Sequence, residues 1–551
     1  MCDFTHIEYI PFSTNISGDY SFRLVITDSL QNAQMAGPEG LHAKAKEVDM
    51  SCLVHILAVL MMTENVEYIT IATETTHANL YSAQLIEGGS TSAGEIYTDA
   101  GLNGSGVVVG IADTGLDVHS CYFSGQSGET AVSISSSSSP FTDLSKRKVV
   151  QYVADADDTD GAAGHGTHVV GTLAGHIPTA SPSNSPYNGI ATGAKVAMFD
   201  CAKASWNYLR IPSLYDEVFP AAASAGGTLH SNSWINNIYS YDTATVDADR
   251  YLYDNPMFLA FFAAGNSGPD AGTISAPSVS KNAVAVGSTG TGPTIDGRFG
   301  IDVVTQGRSV QSSRAFGYAT ESCSTMVKSG TSMATPAAAG AAALITQYFQ
   351  DSNFWAANCN PHFPNCPDGN DPVIGFTPSG SLVKAVLLHS GRDLGGGYAF
   401  PGNEQGFGRI DLSSVLLVKG VSDGFDLFVE DFVLLSMQER SIFVNVTSCD
   451  GRSFIKVSIG WMDVPNFIAV NKQLVHDVDL VVYGPVKGHM KWKGNNNSDG
   501  DDLNNVEMVY IQDPVCGMYE IVISGSLFLS PSDQRVSLVL TTSAGGFEII
   551  D

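Results

Sequence analysis

Gly106-Val-Val-Val-Gly-Ile-Ala112 is apolar or glycine at every position and runs straight into Asp113-Thr-Gly-Leu-Asp117. A strand apolar on both faces belongs inside a parallel sheet that helices cover on both sides. A polar group placed directly after it falls beyond the strand's carboxyl end, where open α/β sheets keep their active groups. Similar runs follow at Val196-Ala-Met-Phe199, Thr228-Leu-His-Ser-Asn-Ser233, Phe258-Leu-Ala-Phe-Phe-Ala-Ala264 and Asn282-Ala-Val-Ala-Val-Gly287, with helical patterns between them. The expected fold class is therefore α/β, a doubly wound and mostly parallel sheet.

Three further stretches share the chemistry that Asp113 opens. They are Gly164-His165-Gly-Thr-His168-Val-Val-Gly171, Phe261-Phe-Ala-Ala-Gly-Asn266-Ser-Gly268 and Ser329-Gly-Thr-Ser332-Met-Ala-Thr-Pro336. A serine hydroxyl is a weak nucleophile at neutral pH, so acyl transfer through it needs an imidazole to take the proton and a carboxylate to orient that imidazole. Ser332 opens an alanine-rich run that favours helix, which puts its hydroxyl at a helix N-terminus. Pro336 is expected in the first turn, where its missing N–H costs least. His165 starts a second helix of small residues. His168, three residues on, reads as a structural histidine, and Asp117 as a turn residue. Asn266 is a neutral donor, suited to an oxyanion that a carboxylate would repel.

In motif content and in the order acid, base, nucleophile, residues 100–415 resemble the subtilisin-like serine proteases (subtilases, peptidase S8 family), for which that order is already established. The resemblance implies a serine endopeptidase working through an acyl-enzyme, with Asp113, His165 and Ser332 as catalytic triad and Asn266 in the oxyanion hole. It also implies that Ser233, Trp234 and Ile235, on an edge strand, and Ala263, Ala264 and Gly265, on a pocket wall, bind substrate. Many relatives carry glycine where Ile235 stands, so pocket shape is expected to differ. The loop Asp296-Gly-Arg-Phe-Gly-Ile-Asp302 also departs from the family pattern and reads as a structural change.

Residues 1–90 carry none of these motifs. They read as a small α+β region with strands near 20–27 and 66–72 and a helix near 42–62, closed by a Gly/Ser-rich linker, and they resemble a subtilase propeptide. The catalytic domain is expected over 91–420. From 421 to 551 short alternating strands predict an antiparallel β-sandwich or jelly roll, similar to the C-terminal domain of certain subtilases. Leu474-Val-His-Asp-Val-Asp-Leu-Val-Val and Asn504-Asn-Val-Glu507 carry that likeness.

The 551 residues are 44% hydrophobic and only 15% charged, enough to build a large core. A formal charge of −29 disfavours nucleic acid or an anionic membrane as partner. Peptide or protein substrate and the chain's own propeptide are the expected partners, and no cofactor is required. The acidic run Asp155-Ala-Asp-Asp-Thr-Asp160 lacks the EF-hand pattern and reads as a solvated loop, with Ca²⁺ kept as a structural ion. Of nine cysteines, Cys359 with Cys366 is the expected disulfide, and Cys449 with Cys516, which share the C-terminal region, is a candidate pair that the sequence leaves open. The longest apolar run, Cys52–Met62, is well short of the ~20 residues a membrane-spanning helix needs. No secretory signal is visible at the start, while acceptor sequons at Asn15, Asn103, Asn445 and Asn496 suit a secreted or endomembrane location. A lipase-type Gly420-Val-Ser-Asp-Gly424 string is discounted because a strand-like segment, not a helix, follows it.

Overall fold

The computed structural model describes residues 10–12, 21–23 and 78–550, except 126–128, 162, 179–185, 204, 206–207, 289–291, 318–321, 359–373, 448, 450, 469, 486–489, 529 and 544–546. The chain forms two compact units, Met1–Glu74 and Thr75–Asp551. In the first, Ile10–Phe12 pairs antiparallel with Ser21–Arg23, the latter inside the strand expected near 20–27. The helix expected near 42–62 and the strand near 66–72 lie outside the described residues.

The stretch read as a linker is ordered at its start. Ala78–Gly88 is a helix of the larger unit, and Glu87 is buried. Its carboxylate accepts bonds from Tyr97 N at 2.7 Å, Thr98 N at 3.0 Å and Thr98 Oγ1 at 2.7 Å. Burial nevertheless pushes its pKa up to about 8.

Eight strands form one sheet in the order Val303–Val304, Val284–Gly287, Leu259–Ala263, Leu229–Asn232, Val108–Asp113, Lys195–Asp200, Val149–Ala154 and Ile134–Ser135. Every pairing in it is parallel. Helices Phe219–Ser224 and Thr243–Asp254 occupy crossovers. The Asp113 strand is central and buried at all six positions, as its two-faced apolar pattern requires. Helix Thr331–Gln350 packs on three of the strands and on helix His165–Ala174. Its residues from Met333 to Phe349 are all buried, which the alanine run makes possible because small side chains let backbones approach.

Beyond residue 421 two antiparallel sheets form a sandwich. One has the order Phe425–Leu435, Asp533–Ser543, Phe454–Gly460, Val506–Gln512; the other Lys491–Lys493, Val478–Tyr483, Gly517–Gly525, Glu439–Val446, Phe547–Ile550. The strand Phe425–Leu435 is what excludes the lipase reading, and Ser422 is spent on structure, accepting from Tyr97 Oη at 2.9 Å.

The sandwich docks on the parallel-sheet layer through buried polar groups. Lys281 Nζ pairs with Asp463 and donates to the carbonyls of Val464 at 2.6 Å and Gln473 at 2.7 Å. Asn282 Oδ1 accepts from Asp463 N at 2.7 Å and from Asn505 Nδ2 at 3.2 Å. Phe299 N, in the loop that departs from the family pattern, donates to Asn504 Oδ1 at 2.9 Å. That loop change thus serves the docking surface.

Cys449 and Cys516 are bonded, and Cys201 is free and buried. Cys359 and Cys366 lie outside the described residues. A disulfide not anticipated joins Cys121 to Cys323. Among the described residues no helix is long and apolar enough to cross a membrane.

Candidate active site

Asp113 ends its strand with a fully buried side chain. Its Oδ1 accepts from His165 Nδ1 at 2.7 Å and from Thr114 N at 2.8 Å. His165 is the first residue of its helix, and its side chain is 27% exposed. The close approach of helix to loop rests on Gly166, where a Cβ would lie 2.1 Å from Gly115 O. Burial opposes the charged imidazolium, yet the charge and hydrogen bond of Asp113 overcome it and hold the His165 pKa above its ordinary value.

Ser332 is the second residue of helix Thr331–Gln350. Its hydroxyl donates to the Ser233 carbonyl at 3.0 Å, and the Ser233 hydroxyl donates back to the Ser332 carbonyl at 2.8 Å. Pro336 explains the second bond. The helix begins at Thr331, so Pro336 is the sixth helical residue, not a first-turn residue as expected. Lacking an N–H, it leaves the carbonyl four residues earlier, that of Ser332, without its helical donor. Ser233 fills the vacancy.

Asn266 is exposed on the loop after strand Leu259–Ala263. Its Oδ1 accepts from Thr331 N at 2.9 Å and Thr331 Oγ1 at 3.2 Å. The carbonyl end of the side chain is thus held by Thr331, the residue before Ser332. Gly330, at φ 142, makes the turn into the helix with a conformation that side chains other than hydrogen strain to adopt.

A family model described as "Subtilase family" matches residues 104–408. This chain belongs to the subtilase family. Among curated proteins it is similar to "Serine protease/ABC transporter B family protein tagA" of Dictyostelium discoideum, 26% identical, with 85% of this chain and 32% of that protein covered. "Subtilisin Savinase" of Lederbergia lenta is 29% identical over 45% of this chain and 78% of its own length. A solved structure of a protease from Pseudoalteromonas arctica aligns at TM-score 0.36 and 20% identity, covering 61% of this chain and 92% of that one. The chain spans about a third of the length of tagA and its similar relatives tagB and tagD.

Within this subtilase the six residues expected to bind substrate divide sharply. Ala263, Ala264, Gly265, Ser233 and Trp234 are buried, the indole edge-on against Phe262 at 5.8 Å between centroids. Ile235 alone of the six is half-exposed, and its Cδ1 lies 3.8 Å from where a Gly265 Cβ would stand. Its side chain is in ordinary contact distance of that position, beside Gly265. The edge-strand expectation needs correction. Strand Leu229–Asn232 lies inside the sheet, and the chain after it leaves the sheet and binds Ala276 O through Asn236 N at 2.7 Å.

His168 does donate as a structural residue, from Nε2 to the carbonyls of Val310 at 3.0 Å and Met326 at 3.1 Å. Burial lowers its pKa to about 4. Asp117 accepts from His119 N at 3.1 Å and Phe316 N at 2.8 Å, closing the expected turn.

The acidic run does not assemble as metal ligands, and it is only partly a solvated loop. Asp155 pairs with Arg210 at 2.7 Å. Asp160 is buried and accepts from Thr114 Oγ1 at 2.9 Å and Thr167 N at 2.8 Å, tying the residue after Asp113 to the His165 helix. Burial raises its pKa to about 7. Among the described residues no group of three or more His, Cys, Asp or Glu gathers as a metal site. Sequence reasoning missed Asp160, Thr331 and the structural use of Ser233, whose only signal was their nearness to the motifs.

Proposed function

We propose that this chain is a serine endopeptidase that cleaves peptide bonds through an acyl-enzyme on Ser332. The observation that carries the reading is the Asp113–His165 pair, a buried carboxylate fixing one ring nitrogen of an imidazole that is partly open to solvent. In the resting arrangement the nucleophile is parked on the Ser233 carbonyl. In the proposed reaction His165 Nε2 takes the proton of the Ser332 hydroxyl as Oγ attacks the scissile carbonyl. The oxyanion that forms lies at the helix N-terminus, beside the Ser332 N–H and Asn266 Nδ2. His165 then protonates the leaving amine, and water releases the acyl group by the same proton path.

The division into a propeptide-like region, a catalytic domain and a C-terminal sandwich belongs to this proposal, as does autocatalytic removal of the first region. So do peptide or protein substrates and a secreted or endomembrane location. Every step runs through protein groups, so no cofactor is assigned.

Internally quenched peptides incubated with the chain and with Ser332→Ala test the activity. The proposal expects internal cleavage by the first and none by the second. N-terminal sequencing of both tests self-processing, expected between residues 73 and 105. Equal turnover by the two proteins overturns the role of Ser332.

A further inference from the structure

Beside Asn266, on the side of the loop that leads into the nucleophile, lies a cavity of about 200 Å³. Gly265 and Asn266 form one wall, Ser329 and Gly330 another, and Arg308 supplies the charge. No carboxylate lines it among the described residues, and Arg308, which is exposed to solvent, takes part in no ion pair among them. In a chain of net charge −29, a guanidinium without a carboxylate partner beside Asn266 and Ser329 is open to an anionic ligand.

The backbone on either side of Arg308 is fastened to the loop that carries the nucleophile. Gly330 N donates to Gly307 O at 2.8 Å, and Ser309 N donates to Ser329 Oγ at 2.8 Å. Ser309 has φ 55, a left-handed conformation that costs a non-glycine residue energy and persists where the surroundings enforce it. Gly307 admits no side chain, since a Cβ would stand 2.4 Å from Ser288 Oγ and 2.6 Å from Gly330 O. The backbone that carries Arg308 at the cavity is therefore held by a strained, doubly pinned turn. A second cation, Lys328, pairs across the same two-stranded ribbon with Val310 and acts electrostatically on His165.

We propose that this cavity is an anionic subsite, in which the Arg308 guanidinium pairs with a carboxylate of the peptide substrate close to the scissile bond. A planar, always charged guanidinium offers a carboxylate two parallel hydrogen bonds. The inference rests on the peptidase reading of the adjoining Ser332 and names its substrate class: peptides with aspartate, glutamate or a free terminal carboxylate within reach of the cavity.

The test compares peptides carrying Glu or the neutral isostere Gln at each position around the cleaved bond, with and without C-terminal amidation. Each ratio is read within one protein, so a general loss of activity cancels. The chain is expected to prefer Glu over Gln at one position, or a free over an amidated terminus, by about two- to fivefold, the range an exposed ion pair provides. The position that responds distinguishes a side-chain from a terminal carboxylate. Arg308→Gln is expected to abolish the preference, Arg308→Glu to reverse it toward Lys, and added salt to weaken it in the unaltered protein. Ser332→Ala, which does not turn substrate over, reads the same Glu-to-Gln ratio as binding by fluorescence anisotropy. Absence of turnover with a carboxylate preference in binding overturns the peptidase reading and leaves the subsite standing. Equal use and binding of Glu and Gln peptides at every position, or a preference that survives Arg308→Glu, overturns the subsite.

Discussion

Two of the carboxylate–cation pairs in this molecule are finished differently. Lys281 and Asp463 are both fully buried where the sandwich meets the parallel-sheet layer. The ammonium has three acceptors, Asp463, Val464 O and Gln473 O, and the carboxylate also receives Val475 N at 2.8 Å and His476 N at 2.7 Å. Asp113 and His165 instead leave capacity unused. Asp113 Oδ2 has no hydrogen-bond partner among the described residues, and His165 binds Asp113 through Nδ1 while its ring stays partly open to solvent. A closed network fixes a geometry, whereas an open one keeps a proton acceptor available. Burial of a charge pair therefore does not by itself mark a reactive site; what sets this pair apart is the part of the His165 ring that remains open to solvent.

Substitutions that remove one charge from each pair separate the two cases. Asp113→Asn is expected to lower kcat by about 10⁴-fold with little change in Tm. Lys281→Ala leaves Asp463 buried without its cation and is expected to cost about 3–5 kcal/mol of stability, read by denaturant unfolding, with turnover per folded molecule retained. If the two variants lose the same property, the contrast between open and closed pairs is wrong. Asn266→Ala removes an oxyanion donor and is expected to lower kcat by about 10²–10³-fold with KM nearly constant. Ser233→Ala frees the Ser332 carbonyl that Pro336 leaves without a helical donor, a single buried hydrogen bond worth about 1 kcal/mol, and a small fall in Tm measures it.

The pH profile sharpens the same comparison. The general base must be neutral, so kcat/KM rises as pH climbs through the His165 pKa. That pKa is raised above its ordinary value of 6.5, which places the midpoint of the acid limb above 6.5. Burial alone would lower it, and the Asp113 charge reverses that effect. In Asp113→Asn the midpoint of the residual activity should therefore move to lower pH. An unmoved midpoint would show that Asp113 does not set the imidazole's charge.

What the sequence discloses follows the range of the constraint. The Asp113 strand, the His165 and Ser332 helices and the Asn266 turn are legible because each demand is local: a two-faced apolar run, a helix of small residues, a glycine at φ 142 before the nucleophile. The sandwich strands, such as Phe454–Gly460 and Val478–Tyr483, are legible from their alternation. Contacts closed by docking are not legible. Cys121 and Cys323 are 202 residues apart, Lys281 and Asp463 are 182 apart, and Ser233 and Ser332 are 99 apart. Resemblance also identifies a pocket's segments without saying which atoms face out, and so Trp234, Ala263 and Ala264 belong to the core rather than to an open wall. The position of Pro336 is a smaller case, since a small error in a helix start turns a harmless proline into one that frees a carbonyl.

The most direct measurement is mass mapping of the adduct left by a fluorophosphonate on the chain, beside the same reaction with Asp113→Asn. A single adduct on Ser332 is predicted, formed far more slowly in the variant. An adduct on another residue, no adduct on the folded chain, or equal rates in the two proteins would contradict the triad.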